Sequence, residues 1–330
     1  MEKVRLGSSN VKITPLVFGA WAIGGWMWGG TDIKKSNKAV QASIESGMTT
    51  IDTAPAYGFG LSESIIGNAT AEIPREKYQL LTKFGLRWDT SSGHFYFESQ
   101  DAQGKKVNMH KYAGKESIIK ECEESLQRLK TDYIDLYQIH WPDPTTPIEE
   151  SFEAVEQLLT EGKILAAGVC NYDLSQIEAA QSVVPLASNQ VPYSMVLRTI
   201  EKEIVPYCIS NNMGILAYSP LQRGLLTGKI SDDYKFNSGD HRADNNFFQQ
   251  PNLGIVNKFL NDIRPIAEKY KASLTQLVIN WTIQQPGITG TLVGARNEEQ
   301  VVHNAQSLQF KLTADELHTI KTKLESLPLQ

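Results

Sequence analysis

Cysteine is scarce in this chain: Cys122, Cys170 and Cys208 lie far apart in 330 residues and form no CxxC pair. An odd, scattered set of three cannot frame a disulfide scaffold, and it reads as reduced thiols in a cytoplasmic protein. Basic charge is not in excess. With 32 Lys+Arg against 37 Asp+Glu the formal charge is −5, which argues against a nucleic-acid partner, whose phosphates demand a basic face. No apolar run reaches the roughly 18–20 residues of a membrane span, and Met1-Glu2-Lys3-Val4-Arg5 has no apolar signal-peptide core. Several chemical motifs are also missing. Gly58-Phe59-Gly60 continues to Glu63 where the third glycine of a dinucleotide fingerprint would stand. There is no GxxxxGK[ST], no HExxH and no Cys/His cluster, so no metal site is expected. What remains is 41% hydrophobic and 21% charged, a globular composition with enough apolar surface to offset the entropy of ordering. No repeat, low-complexity tract or linker interrupts it, so residues 1–330 read as one domain.

Eight short apolar runs recur along the chain: Leu16–Gly19, Thr49–Asp52, Tyr78–Phe84, Tyr133–His140, Ile164–Cys170, Leu186–Val191, Gly214–Ser219 and Gly290–Gly294. Several lack polar alternation, as strands covered on both faces do. Amphipathic segments lie between them: Lys35–Ser46, Ser117–Leu129, Glu149–Glu161, Ser175–Ser182, Glu201–Ser210 and Asn297–Ala305. This alternation implies right-handed βαβ units. An open doubly wound sheet and a closed barrel both accommodate it, and eight units in about 300 residues favour the α/β (β/α)8 TIM barrel. Residues 1–14 read as a hairpin capping the barrel floor, and Pro220 to Gly254 as a lid. Ile255–Lys271 and Leu274–Gln285 are two helical patterns between the last two strands. Ala314–Ser326 is a further helix, begun by Thr313 with Glu316 at capping-box spacing. Two extra helices and long loops at the C-terminal face are therefore expected, with the polar, aromatic insert Gly85–Gly114 overhanging that face.

Reactive groups of such barrels sit at the C-terminal strand ends. There the runs close on Asp52, Lys83, His140, Asn171, Gln190, Tyr218-Ser219 and Gly294-Ala295-Arg296. Singly, an Asp at a strand end is often a turn former and a Lys a solvated side chain. Seven polar ends converging on one mouth are harder to explain as unrelated surface residues, because charges there must pair or carry function.

Several segments resemble the aldo-keto reductase superfamily. They are Asp52-Thr-Ala-Pro-Ala-Tyr57-Gly-Phe-Gly-Leu-Ser62-Glu63, Leu129-Lys-Thr-Asp-Tyr-Ile-Asp-Leu-Tyr-Gln-Ile-His140, Gly168-Val-Cys-Asn171, Tyr218-Ser-Pro-Leu-Gln-Arg-Gly-Leu-Leu-Thr-Gly-Lys229 and Gly294-Ala-Arg-Asn-Glu-Glu-Gln300-Val-Val-His-Asn304. Ala20-Trp21-Ala22-Ile23-Gly24-Gly25 with Met27-Trp28-Gly29-Gly30 looks most like the bacterial general stress protein branch. The resemblance implies a catalytic tetrad of Asp52, Tyr57, Lys83 and His140, and an NADP-dependent oxidoreductase that reduces small aldehydes and ketones, reactive dicarbonyls included. Carbonyl reduction needs a hydride on carbon and a proton on oxygen. A free phenol, with a pKa of about 10, is a poor donor at neutral pH. Lys83 is expected to pull the pKa of Tyr57 down, with Asp52 orienting Lys83 and His140 orienting the carbonyl.

By the same resemblance NADPH/NADP+ is the cofactor. Ala20, Trp21 and Asp52 line its site, Tyr218 stacks on the nicotinamide, and Asn171 and Gln190 hold the carboxamide. The loop Ser219, Pro220, Leu221, Gln222, Arg223, Gly224 to Lys229 wraps the pyrophosphate, with Arg242 reaching phosphate. Gly294, Arg296, Gln300 and Asn304 hold the adenosine end, where a guanidinium favours a 2′-phosphate. Trp21, Trp26, Trp28, Tyr57, Trp88, His140 and Trp141 are expected to line an apolar substrate cleft. Cys170 stands where the family commonly has Ser, a weaker hydrogen-bonding group. The expected partner is a small carbonyl compound, with no nucleic acid, no membrane and a monomeric chain. A rival reading is an NADPH-binding regulatory subunit resembling channel-associated β subunits. Another is an aldolase with Lys83 as its Schiff-base nucleophile.

Overall fold

The computed structural model describes residues 1–236 and 242–329; within the expected lid from Pro220 to Gly254, residues 237–241 lie outside the described residues, as does Gln330. Eight parallel strands close into a barrel: Leu16–Gly19, Thr50–Asp52, Gln79–Phe84, Leu136–Ile139, Ala167–Cys170, Leu186–Pro192, Gly214–Tyr218 and Ile288–Gly294. The last pairs with the first, from Thr291↔Leu16 to Gly294↔Gly19. All eight coincide with the apolar runs of the sequence. The fourth and fifth are shorter than expected, because their first residues join only through an isolated Ile134↔Ile164 bridge.

The barrel interior is layered. Val4–Arg5 and Lys12–Ile13 pair antiparallel as the expected hairpin. Its Leu6 and Ile13 pack against Val17, Leu81, Leu136, Ala166, Leu216 and Leu292 to form an apolar floor. Side chains of a strand alternate between faces. Two residues above Leu81, Leu136, Ala166 and Leu216 the inward positions are therefore Lys83, Gln138, Gly168 and Tyr218, and above Val17 and Leu292 they are Gly19 and Gly294. Sequence alternation alone thus carries the interior from hydrocarbon to polar chemistry.

Helices Ile33–Glu45, Leu61–Ala69, Lys115–Leu129, Ile148–Thr160, Leu174–Gln181, Ile204–Ser210, Leu274–Ile283 and Glu298–Ala305 follow the strands, with Asn252–Lys269 and Ala314–Glu325 as the two extra ones. The expected Glu201–Ser210 helix divides into a 3-10 turn, Thr199–Glu201, and a helix starting at Ile204. Pro206 has no N–H and is tolerated only in a first turn, which fixes that start. Leu61–Ala69 was not foreseen from periodicity. It is fastened by Glu63, fully buried, which accepts from Thr82 Oγ1 at 2.6 Å and Arg128 Nε at 2.7 Å. Ser62 Oγ donates to Ala20 O at 2.9 Å. The Ser62-Glu63 motif thus anchors a helix.

The 85–114 insert is an antiparallel sheet in the order Leu86–Arg87, Lys106–Lys111, His94–Gln100. Glu121 holds its root, accepting from the Gly85 N–H at 3.1 Å and lying 3.4 Å from Arg87.

A Cβ on Gly67 would lie 2.3 Å from Arg128 O. Gly67→Ala therefore forces two helices apart, and about 1–3 kcal/mol of stability is expected to be lost. Urea unfolding monitored by circular dichroism should show a lower midpoint with an unchanged slope.

Candidate functional site

At the C-terminal face one lysine is almost wholly withdrawn from water. Lys83 is 1% exposed, and its Nζ donates to Asp52 Oδ1 at 2.6 Å and to the Thr53 carbonyl at 2.7 Å. Burial alone would lower the Lys83 pKa, but the Asp52 and Tyr57 oxygens outweigh it and raise that pKa. The other Asp52 oxygen, Oδ2, accepts from Gln190 Nε2 at 2.8 Å and Gln138 Nε2 at 3.5 Å. Lys83 Nζ lies 5.1 Å from the centre of the Tyr57 ring, and the His140 ring meets Tyr57 edge-on at 5.6 Å. The four side chains of the expected tetrad therefore meet at one place.

The expectation that Lys83 makes Tyr57 acidic is corrected. Burial pushes the phenol up to about 12, and the Lys83 charge and hydrogen bond only partly offset it. Burial is a tertiary property, and from residue types alone its weight against one ammonium is underestimated. His140 is shifted well below its ordinary value by burial and then by the Lys83 charge. It is neutral at pH 7 and retains one N–H donor.

Asn171 sits in the left-handed region at φ 60°, a conformation Asn tolerates. Its Nδ2 donates to the His140 carbonyl at 3.2 Å, and its Oδ1 accepts from the Tyr218 hydroxyl at 2.9 Å. Tyr218 and Asn171 thus brace each other, while the Gln190 amide N–H faces inward to Asp52. Beyond Tyr218 the backbone turns sharply. Ser219, Gln222, Arg223 and Gly224 all have positive φ, with buried Pro220 between them and Leu221 at φ −90°, ψ 6°. The turn closes on itself, the Gln222 N–H donating to the Ser219 carbonyl at 2.9 Å. Arg223 and Lys229 are exposed on this loop. Arg242 Nη1 lies 3.4 Å from the Arg223 carbonyl.

The turn after the last strand is tied down. Gly294 pairs with Gly19, Asn304 Nδ2 donates to Gly294 O at 3.4 Å, and Gln300 Oε1 accepts from the Arg296 backbone N–H at 2.8 Å. The Arg296 guanidinium donates to the carbonyls of Gly30 at 2.6 Å and Trp28 at 3.3 Å. Gln300 and Asn304 thus hold the protein's own turn. Ala20, fully buried, donates its N–H to the Asp52 carbonyl.

Of the aromatic residues expected in a cleft, Trp21 lies against Tyr57 at 6.1 Å and Trp28 meets Trp21 edge-on at 5.5 Å. Trp26, Trp88 and Trp141 sit one layer out, packed with Ala56, Leu86 and Met109. Trp26 stacks on Phe97, and Trp141 lies tilted against Tyr96 at 5.7 Å, both rings coming from the insert. Neither Phe97 nor Tyr96 was foreseen. Aromatic residues in a polar, irregular stretch signal a covering sheet, although which ring faces the barrel depends on its register.

The family model for aldo/keto reductases matches residues 15–325. The chain belongs to the aldo/keto reductase family. It is an NAD(P)-dependent oxidoreductase acting on carbonyl groups. Over 332 residues it is 35% identical to the NADH-specific methylglyoxal reductase of Escherichia coli (strain K12), covering 99% of each chain. It superposes with a TM-score of 0.90 on the glycerol dehydrogenase AKR11B4 of Gluconobacter oxydans, 36% identical over 99% of this chain and 96% of that one. An aldo/keto reductase from Klebsiella pneumoniae, solved in complex with NADP and acetate, matches with a TM-score of 0.72 and 28% identity over 97% of this chain and 94% of that one.

The residues present fit a dinucleotide. Space is open over Gly224, where an added Cβ would touch nothing nearer than the Arg242 guanidinium at 3.8 Å. Among the described residues Arg296 pairs with no carboxylate, so its charge is available to a phosphate. No group of three or more His, Cys, Asp or Glu is arranged to hold a metal ion, and no helix is long and apolar enough to cross a membrane, among the described residues.

Because the His140 pKa lies well below 6.5, its ring should not titrate between pH 6 and 8. Ring-proton NMR of the six histidines, with His140→Gln to assign the signal, checks this; a His140 midpoint near 6.5 contradicts the site electrostatics.

Proposed function

We propose that the chain reduces small aldehydes and ketones, reactive dicarbonyls included, to alcohols with NADPH, and that Tyr57 is the proton donor. The observation that carries this reading is the Lys83 ammonium fixed between Asp52 and the Thr53 carbonyl beside the phenol. NADPH when bound supplies the hydride. Tyr218, Asn171 and Gln190 would hold the nicotinamide end, the Ser219–Lys229 loop and Arg242 the pyrophosphate, and Arg296 the adenosine end. The neutral His140 N–H and the Tyr57 hydroxyl point a substrate oxygen, and Trp21 and Trp28 exclude water around it.

As negative charge develops on the substrate oxygen, Tyr57 gives up its proton to that oxygen. A phenol at about 12 remains a sufficient acid, because an alkoxide is far more basic. The resulting phenolate is stabilised by Lys83, whose charge is worth most in this water-poor setting. The phenolate then regains a proton from solvent. In the reverse direction the same phenolate is the base.

NADPH is preferred over NADH on this reading because Arg296 offers a guanidinium with no competing carboxylate among the described residues. The relative from Escherichia coli is NADH-specific by name, which makes the cofactor comparison a direct test. The three buried, unbridged cysteines support a reducing, cytoplasmic setting. The chain is proposed to act as a single domain and as a monomer.

NADPH oxidation at 340 nm against a panel of aldehydes, dicarbonyls and ketones tests the reading. Tyr57→Phe should lower kcat by at least 100-fold, within the range of general-acid removal, with NADPH binding retained by fluorescence titration. Reductive turnover by wild type should fall as pH rises toward the phenol pKa, since the donor must be protonated. Turnover retained in Tyr57→Phe removes the proposed donor. Arg296→Ala should raise KM for NADPH about tenfold, the scale of a lost charged hydrogen bond, and leave KM for NADH within twofold. Equal effects on both would contradict 2′-phosphate recognition.

A further inference from the structure

Beneath the four reactive side chains lies a second polar layer. Gln138 is fully buried on the fourth strand, two residues before His140, in a run that is otherwise apolar. A buried primary amide is costly unless its groups are satisfied. Its Nε2 donates to Asp52 Oδ2 at 3.5 Å. Its Oε1 accepts from Gln190 Nε2 at 3.5 Å and from the Cys170 thiol at 3.9 Å. Gln190 Nε2 also reaches Asp52 Oδ2, at 2.8 Å. Both amide N–H groups therefore face one carboxylate oxygen, while the other oxygen is left to Lys83. The barrel makes room for this arrangement: Gly168 is directly opposite Gln138 in register, and a Cβ there would stand 3.0 Å from Gln138 Cγ.

We propose that Gln138, oriented by Cys170 and Gln190, is a positioning residue that fixes the Asp52 carboxylate and through it the direction in which Lys83 presents its charge to Tyr57. This rests on the reading of Tyr57 as proton donor. The chain of contacts is physical at each step. Cys170 and Gln190 set the amide plane by donating to its oxygen. The amide then donates to Oδ2 and fixes the plane of the carboxylate. That plane sets Oδ1, hence the direction of the Lys83–Asp52 bond, and with the Thr53 carbonyl taking a second N–H, it sets the third. Cys170 thus has a task as a thiol donor to Gln138.

The test is kinetic and thermal together. Gln138→Leu preserves bulk and removes both amide functions. In a purely structural role this change would act on stability alone, since it removes one partner of each hydrogen bond and leaves the Cys170 thiol without its acceptor. As a positioning change it should lower kcat about tenfold, the loss of roughly one hydrogen bond to a charged group. KM for NADPH should stay within twofold, and the loss of kcat should persist at temperatures well below the Tm of the variant. The basic limb of the pH–rate profile should also move upward, because a displaced Lys83 acidifies Tyr57 less. Gln138→Glu is the second variant. Its carboxyl repels Asp52 when ionised and donates to Oδ2 when protonated, so turnover should recover at least fivefold toward acid pH relative to wild type. Wild-type kcat and pH profile in Gln138→Leu overturn the proposal; if that variant does not fold, absence of acid recovery in Gln138→Glu overturns it. Tyr57→Phe assayed in parallel keeps the two failures distinct. A Tyr57→Phe enzyme that remains active sinks the donor reading, whereas an inactive Tyr57→Phe with an unaffected Gln138→Leu sinks only the positioning role.

Discussion

The structure is organised around an ammonium kept charged where water does not reach it. Lys83 and Asp52 are each no more than 2% exposed at their side chains, with 2.6 Å between nitrogen and oxygen. An ion pair so placed contributes little net stability, because desolvation of both ions offsets their attraction, and loss of either partner strands the other. Its value lies in what it fixes. The contacts around it support it: the Thr53 carbonyl takes a second N–H, the Gln190 and Gln138 amides satisfy the far carboxylate oxygen, and the Tyr57 phenol faces the remaining charge. The apolar floor below excludes water from that side, which strengthens each of these interactions.

The backbone departs from ordinary geometry where function is proposed. Asn171, Ser219, Gln222 and Arg223 are non-glycine residues with φ between 45° and 60°, all beyond the C-terminal ends of strands. Such conformations cost of order 1 kcal/mol or more each and persist where surroundings over-determine them. Here the Asn171–Tyr218 hydrogen bond and the buried Pro220 and Gln222 do so. Rigid strands thus present a strained, preorganised rim, while the residues chosen for bonding to the barrel itself, such as Ser62 and Glu63, are buried in regular elements.

The barrel was legible because strands buried on both faces leave unbroken apolar runs, and all eight were recognisable from Leu16 to Gly294. Helix Leu61–Ala69 was not, since Gly60 and Gly67 dilute its pattern and its anchoring depends on Arg128, more than sixty residues away. The strands of the insert leave little trace in the sequence, because His94–Gln100 is mostly solvent-exposed and lacks one apolar face. At the site, the residue types at strand ends were readable one by one, but their electrostatic balance was not. The rise of Tyr57 to about 12 and the second polar layer at Gln138 both arise from neighbours on other strands.

The hairpin through Leu6 and Ile13 stoppers one end of the barrel with hydrocarbon. On the reading proposed for Tyr57, the hydrogen ion that restores a spent phenol would therefore come through the opposite mouth, the one the reactants would fill. Recharging of the acid would then wait on departure of the alcohol.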